Sequence, residues 1–153
     1  MSKYPKVNIG VGALIIKNNK EVLLIKRRRG KKSWAIPSGY TEKKEKIYQT
    51  IIRETKEETN LDIEVKGIIG LRQRFTDDEG HNIWVLTLAK YKKGEITIEL
   101  GELTDAKFFD IAHLKNLDLA DSTKILLEKF KNKKLSLLTV EPKMSNDGYS
   151  LFL

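Results

Sequence analysis

Residues 34–61 of the chain read WAIPSGYTEKKEKIYQTIIRETKEETNL. From Glu45 to Thr59 this stretch consists mostly of good helix formers and contains no Gly or Pro, which predicts a helix. Ile47 and Ile51 stand one turn apart and give the helix an apolar face. Asn60 suits the C-terminal end because Asn tolerates the left-handed conformation found there. The rest of the chain is interpreted around this helix.

The second half of the predicted helix reads Arg53-Glu54-Thr55-Lys56-Glu57-Glu58. Glu54 stands three residues before Glu57 and four before Glu58, so the three carboxylates fall on one side of a helix. Carboxylate oxygens are the ligands that Mg²⁺ or Mn²⁺ prefers when it binds phosphate substrates. The alternative is a solvated helix face on which Arg53 and Glu57 form an ordinary i, i+4 ion pair. The residues upstream favour the metal site.

The stretch from Gly39 to Leu61 resembles the Nudix box, in which a glycine is followed by Glu six positions on and then by Arg-Glu and Glu-Glu at fixed offsets. The matching residues are Gly39, Glu45, Arg53, Glu54, Glu57 and Glu58, with Leu61 as the closing apolar residue. Asn60 stands where the family usually has glycine, and Thr55 where it usually has an aliphatic residue. Ser38 and Lys44 also replace frequent glycines. None of these departures removes a carboxylate.

The resemblance implies a hydrolase that uses Mg²⁺ or Mn²⁺ to cleave a phosphoanhydride bond in a nucleoside diphosphate derivative, such as a nucleoside triphosphate. Glu57 and Glu58 would be the chief metal ligands, and the Gly39 carbonyl would complete the shell. Glu54 would be a further ligand or the general base, a role for which Glu58 is the alternative.

Two other residues of the box would support these carboxylates. Arg53 would orient them by charge-assisted hydrogen bonds and so belongs to the predicted catalytic set. Glu45 would fix the loop behind the metal ligands.

Residues outside the box supply the remaining predicted contacts. The family often adds a carboxylate from a loop across the site, and Glu102 is the first candidate for it, with Glu79 as the alternative. Trp34 and Trp84 are interpreted as core residues, and stacking on a base is their alternative role. Four arginines are candidates for contacts to substrate phosphates: Arg27, Arg28, Arg72 and Arg74.

The segments around the helix have the pattern of β-strands. Strands are predicted at Asn8–Lys17, Glu21–Arg27, Ile63–Phe75, Asn82–Tyr91, Glu95–Leu100 and Ala106–Asp110. A second helix is predicted from Asp121 or Ser122 to Lys131, with Ile125, Leu126 and Phe130 facing the core. This order indicates an α+β fold, a Nudix-like αβα sandwich with a mixed sheet between helices. Residues 1–153 are interpreted as one domain.

The composition narrows the class of partner. The chain has 29 Lys and Arg against 21 Asp and Glu, a net charge of +8, which favours a phosphate-bearing ligand. No RNA-binding motif accompanies the basic run of residues 26–32, so we expect a small nucleotide rather than a nucleic acid. No apolar run reaches the roughly 18–20 residues that cross a bilayer. No targeting signal is recognised, and a cytoplasmic location is therefore expected.

Three other functions are compatible with the sequence. The substrate could be a nucleotide sugar such as ADP-ribose. The chain could instead be a non-catalytic module that binds a nucleotide or RNA through its basic run, although the intact glutamates argue against this. An RNA-cap hydrolase is the third possibility. The resemblance also makes a homodimer possible.

Overall fold

The computed structural model describes residues 3–76, 80–142, 150 and 152–153. The strands are β1 (Val7–Lys17), β2 (Glu21–Arg27), β3 (Ser38–Tyr40), β4 (Asp62–Thr76), β5 (Gly80–Lys93) and β6 (Leu103–Asp110). The helices are α1 (Ile47–Thr59) and α2 (Asp121–Lys131), with a 3-10 turn at Ile111–His113. Within the described ranges, none of the helices has the length and apolar character needed to span a membrane.

The six strands form one mixed sheet. The order is β4-β5-β1-β2-β6, and β3 pairs with β1 beside this path. β1 and β5 are parallel, while the other paired strands are antiparallel. β3 pairs with Gly10–Gly12 of β1, whereas β2 pairs with Ile16 and Lys17 at its other end. The short strand β3 therefore lies beside the first half of the central strand.

The two helices cover opposite faces of the sheet. Val11, Ala13 and Ile15 of β1 pack in one core cluster with Ile51 of α1. The intervening residues of β1 pack in a second cluster on the α2 face, whose buried members include Leu14, Ile16, Leu126 and Leu127. Because side chains alternate between the faces of a strand, the clusters lie on opposite sides. The predicted α+β fold with a mixed sheet between helices is confirmed.

The predicted helix start at Glu45 is wrong by two residues. α1 begins at Ile47 because Lys46 has an extended backbone, with a φ of −82° and a ψ of 154°, and is the N-cap of the helix. The C-terminal end agrees with the prediction. Asn60 has a φ of 62°, and its N–H donates to the Lys56 carbonyl.

The predicted strand at Glu95–Leu100 is also wrong. Ile96 and Ile98 do alternate toward the interior, where they pack against the core cluster of Ile25, Leu103 and Ala106. The backbone of this segment forms no strand, and the N–H of Thr97 donates instead to the Thr59 carbonyl of α1. The apolar alternation therefore indicated burial under a loop rather than pairing in the sheet.

The bounds of α2 agree with the prediction, but its buried face is rotated. Leu126 and Leu127 are buried, whereas the predicted core residue Ile125 is 54% exposed. Phe130 is partly buried against the same cluster. The chain after α2 returns to the sheet, where Leu138 pairs with Ile68 of β4.

Candidate functional site

The carboxylates of α1 lie against β3. Gly39 pairs with Val11 in the sheet, and the Glu54 carboxylate occupies the space directly above its Cα atom. A Cβ atom at position 39 would overlap this carboxylate. Glycine at this position lets the Glu54 carboxylate approach the backbone of β3, and a larger residue would force that carboxylate to move.

Arg53 connects the acidic side chains of the site. Its Nε and Nη2 atoms donate to the two oxygens of Glu45 at 2.8 and 3.0 Å. Its Nη1 atom donates to Glu54 at 2.9 Å and to Glu57 at 3.1 Å. Nη2 also donates to the Tyr40 carbonyl at 3.1 Å. All five donors of the guanidinium have a contact, and this fixes the positions of three carboxylates relative to β3.

Glu45 anchors this arrangement from outside the helix. In addition to the two bonds from Arg53, it accepts hydrogen bonds from the Glu42 N–H at 3.0 Å and the Thr50 hydroxyl at 2.9 Å. The hydrogen bond with Arg53 is the main reason that the pKa of Glu45 falls to about 2. The same pairing raises the pKa of Arg53 above its usual range. Both groups are therefore charged at neutral pH.

Glu58 is the most buried carboxylate of the site, with 3% of its side chain exposed. The Arg27 guanidinium lies 2.7 Å from Oε1 of Glu58, but neither carboxylate oxygen has a well-aligned hydrogen bond within the described part of the chain. Burial raises the pKa of Glu58 to about 7, against the opposing effect of Arg27. The charges of Glu54 and Glu102 raise it further.

Glu54 and Glu57 have different environments. Glu54 is mostly buried, and burial raises its pKa, although Arg53 acts in the opposite direction. Glu57 is 56% exposed and reaches the solvent side of the cluster. The helix thus presents one buried, one partly buried and one exposed carboxylate to the same region.

A loop places Glu102 near these side chains. Its charge contributes to the raised pKa values of both Glu54 and Glu58. Arg28 holds the loop, because its N–H donates to the Glu102 carbonyl at 2.8 Å and its Nε to the Leu100 carbonyl at 2.9 Å. The other candidate acid, Glu79, lies outside the described residues.

The four candidate arginines have separate positions. Arg27 faces Glu58, and Arg28 is bound to the loop of Glu102. Arg72 lies over the Trp84 ring, with its Cζ atom 5.4 Å from the ring centroid. Arg74 is exposed on β4. Of these four, Arg27 is the one that the fold brings directly to the carboxylates of α1.

The cleft beside Glu102 contains residues that the sequence prediction missed. It has a volume of about 600 Å³ and is lined by Arg27, Arg29, Glu99, Gly101 and Glu102. Arg29 belongs to the basic run at residues 26–32, which was the available signal. Glu99 lies within the segment that was predicted as a strand, so the sequence did not indicate that it lines this cleft.

The donor set fits a hard divalent cation, although Arg27 and Arg53 are paired with its carboxylates. Across residues 3–76 and 80–142, no three acidic or histidine side chains converge in a ready-made metal cage. Glu58 nevertheless has two buried oxygens without a well-aligned hydrogen bond from the described residues, and Glu54 and Glu102 add oxygen donors near it. Arg53 holds Glu57 beside Glu54. Such oxygens suit Mg²⁺ or Mn²⁺. The roles assigned to these residues remain predictions.

Comparison with known proteins gives consistent matches. Residues 6–130 match the NUDIX domain family. An ADP-ribose pyrophosphatase of Methanocaldococcus jannaschii is 34% identical over 112 residues, which are 71% of this chain and 65% of that protein. A MutT NUDIX hydrolase from Burkholderia pseudomallei superposes with a TM-score of 0.68 and 25% identity, covering 80% of this chain and 97% of the other.

A second solved structure supports the fold. A NUDIX hydrolase from Nitrosomonas europaea superposes with a TM-score of 0.72 and 20% identity, covering 94% of this chain and 100% of the other. The chain spans about two thirds or less of the length of the curated relatives that it matches.

Proposed function

The chain belongs to the NUDIX family, and on that premise we propose that it is a divalent-metal-dependent pyrophosphohydrolase. Its substrate is a nucleoside diphosphate linked to another group, and the bond cleaved is a phosphoanhydride. The observation that carries this proposal is the position of Glu58, a buried carboxylate that is paired with Arg27, lacks a well-aligned hydrogen bond from the described residues, and is influenced by the charges of Glu54 and Glu102. A buried charge of this kind is costly unless a cation balances it, and Arg27 alone leaves its pKa raised.

Glu57, Glu58 and Glu54 would hold the metal, together with the Gly39 carbonyl and Glu102. When bound, Mg²⁺ or Mn²⁺ neutralises the phosphate oxygens and lowers the pKa of an attacking water. The side chains of the protein position the metal-binding carboxylates and accept one proton from the water. Arg53 fixes Glu54 and Glu57 relative to β3.

The proton of the attacking water is taken by a carboxylate of α1. Both Glu54 and Glu58 have raised pKa values, and a carboxylate with a raised pKa is a stronger base at neutral pH. Arg27 and Arg29 line the cleft beside Glu102, where guanidinium groups suit the phosphate oxygens of the substrate.

Two similar proteins support the proposal at different levels of detail. The archaeal relative is named as an ADP-ribose pyrophosphatase, which supports a nucleotide sugar. The MutT structure from Burkholderia pseudomallei supports the broader hydrolase assignment. We propose ADP-ribose and nucleoside triphosphates as the first substrates to test. A cytoplasmic location and a homodimer remain predictions.

The test is the release of phosphate and nucleotide from a substrate panel. The panel contains nucleoside triphosphates, ADP-ribose, dinucleoside polyphosphates and capped RNA, each with Mg²⁺, with Mn²⁺ and with chelator. Metal-dependent turnover of one class supports the proposal and identifies the substrate. Absence of turnover on every class, with folded protein and bound metal, contradicts it and favours the non-catalytic binding module.

A further inference from the structure

A row of aromatic and cationic side chains crosses the sheet on the face opposite α1. The pairing of four adjacent strands aligns Arg72 of β4, Trp84 of β5, Gly10 of β1 and Tyr40 of β3. Paired residues of neighbouring strands project from the same face. Gly39, the neighbour of Tyr40, faces α1 and the Glu54 carboxylate, so the row lies on the α2 face.

Gly10 allows the aromatic rings of this row to meet. A Cβ atom at position 10 would lie 2.5 to 2.7 Å from three atoms of the Trp84 ring, so the indole rests directly on the backbone of β1. The Tyr40 ring is then 5.0 Å from the Trp84 ring, and the Arg72 guanidinium is 5.4 Å from it on the other side. Tyr40 is 51% exposed. Tyr40 therefore offers an accessible aromatic surface beside the half-buried indole.

The cleft next to Tyr40 contains an unsatisfied polar group. Asn82 lies two residues before Trp84, on the same face, and is only 3% exposed. Its Oδ1 atom has no hydrogen-bond partner among the described residues, and Asn82, Asn8 and Tyr40 line the same cleft of about 570 Å³. A buried acceptor without a donor is uncommon in folded proteins, because it loses its hydrogen bond to water. It is a suitable partner for a donor on a bound ligand.

β3 connects this cleft to the carboxylates of α1. The Tyr40 ring lies on one face of the sheet, while the Tyr40 carbonyl accepts a hydrogen bond from Arg53 at 3.1 Å. The same guanidinium holds Glu54 and Glu57. Tyr40 thus contacts both the cleft and the arginine that holds the carboxylates.

We propose that Tyr40 and Trp84 bind the base of the substrate, that this base is a purine with an amino group, and that Asn82 accepts the hydrogen bond of that amino group. A purine offers the larger surface for stacking on the two rings. Arg72 holds the indole in place and adds a cation beside the base. The proposal rests on the proposed function, which places the phosphates of the same ligand at the carboxylates.

The test measures binding rather than turnover. The affinities of AMP, IMP, UMP and ribose 5-phosphate are determined by calorimetry in the presence of chelator. AMP is expected to bind most tightly, and IMP is expected to bind more weakly because it lacks the amino group. Tyr40→Ala and Trp84→Leu are each expected to weaken AMP binding by about fivefold or more, the effect of losing a base–aromatic stack.

Two variants make the comparison specific. Asn82→Ala is expected to abolish the preference for AMP over IMP. Trp34→Phe is the matched control, because Trp34 is a buried tryptophan packed on Phe109 and outside the row. It is expected to leave AMP affinity unchanged. If Trp84→Leu does not fold, the folded Tyr40→Ala protein still tests the aromatic contact to the base.

Equal affinities for AMP and ribose 5-phosphate, or an unchanged AMP affinity in folded Tyr40→Ala, would overturn the proposal. Since the measurement needs neither metal nor turnover, an inactive protein that binds AMP through Tyr40 would refute the hydrolase function alone. An active protein whose AMP affinity is unchanged by Tyr40→Ala would refute the base site alone.

Discussion

Arg27 of β2 brings its Nη2 atom to 2.7 Å from Oε1 of Glu58 on α1, yet it does not restore an ordinary acidity to that carboxyl group. The guanidinium is 35% exposed, whereas the carboxylate is 3% exposed. Solvent therefore stabilises the arginine while the glutamate remains desolvated. Burial outweighs the ion pair, and the pKa of Glu58 rises to about 7.

This relationship predicts how the stability of the metal-free protein depends on pH. The pKa of Glu58 is about 7 in the folded protein, whereas the ordinary pKa of an unburied glutamate is 4.5. The folded state therefore binds more protons between these two pH values, and stability falls as pH rises. Relative to Glu58→Gln, the wild-type free energy of unfolding should decrease by roughly 3 kcal/mol between pH 4 and pH 8. Denaturant unfolding in chelator measures it.

Glu57→Gln is the control for this experiment, because Glu57 is 56% exposed. It should show no comparable pH-dependent difference from the wild type. If the unfolding free energies of wild type and Glu58→Gln run parallel across this range, Glu58 does not have the raised pKa.

Glu45 predicts a pH dependence of the opposite sign. Its pKa is lowered to about 2 in the folded protein, chiefly by Arg53, so its stabilisation is present above pH 4.5 and is lost as pH falls toward 2. Glu45→Gln should lower the free energy of unfolding by about 2 kcal/mol at pH 7. The difference from wild type should shrink on acidification, and a difference that stays constant to pH 2 would contradict the pairing.

Gly39→Ala tests the contact between β3 and Glu54. The added Cβ atom would displace the Glu54 carboxylate, so kcat/KM should fall by at least about tenfold, with a loss of stability of about 1–3 kcal/mol. Gly70→Ala is the matched control, because a Cβ atom there meets only an ordinary contact of 3.7 Å with Leu86. Activity of Gly39→Ala equal to that of Gly70→Ala would show that the position of Glu54 is not needed.

Arg28 and Arg29 are neighbours with different expected functions. The Arg28 Nε atom donates to the Leu100 carbonyl in the loop that carries Glu102. Arg28→Ala removes this bond and should raise several-fold the Mg²⁺ concentration required for half-maximal rate. Arg29 lines the cleft, so Arg29→Ala should instead raise the KM for the nucleotide. Kinetics with Mg²⁺ and substrate varied separately distinguish the two effects. If Arg28→Ala instead raises the KM for the nucleotide and leaves the Mg²⁺ dependence unchanged, Arg28 contacts the substrate, as was predicted from the sequence.

The fold could be predicted where local chemistry determines the backbone. The apolar face of α1 and the left-handed Asn60 follow from residues within a few positions of each other. The failure at Glu95–Leu100 arose because alternation reports burial but not pairing. Ile96 and Ile98 are directed inward from a loop whose position depends on contacts far along the chain, including those of Thr59 and Arg28.

The candidate site could also be predicted only where neighbouring residues determine it. The spacing of Glu54, Glu57 and Glu58 predicted that they share one side of a helix, and they do lie together around Arg53 and Arg27. The sequence could not predict which of them is buried, because that depends on the packing of α1 against the sheet. The pairing of Tyr40 with Trp84 was also inaccessible, since it requires the register of three strands.

The most direct test of the central claim is the metal-dependent turnover of Glu57→Gln on the substrate that the wild-type protein hydrolyses. Because Glu57 would be a metal ligand, the rate at saturating Mg²⁺ should fall by at least about 100-fold without unfolding. Glu128→Gln, at an exposed glutamate of α2, should keep the wild-type rate. A Glu57→Gln protein as active as Glu128→Gln would contradict the assignment of the α1 carboxylates as the catalytic metal site.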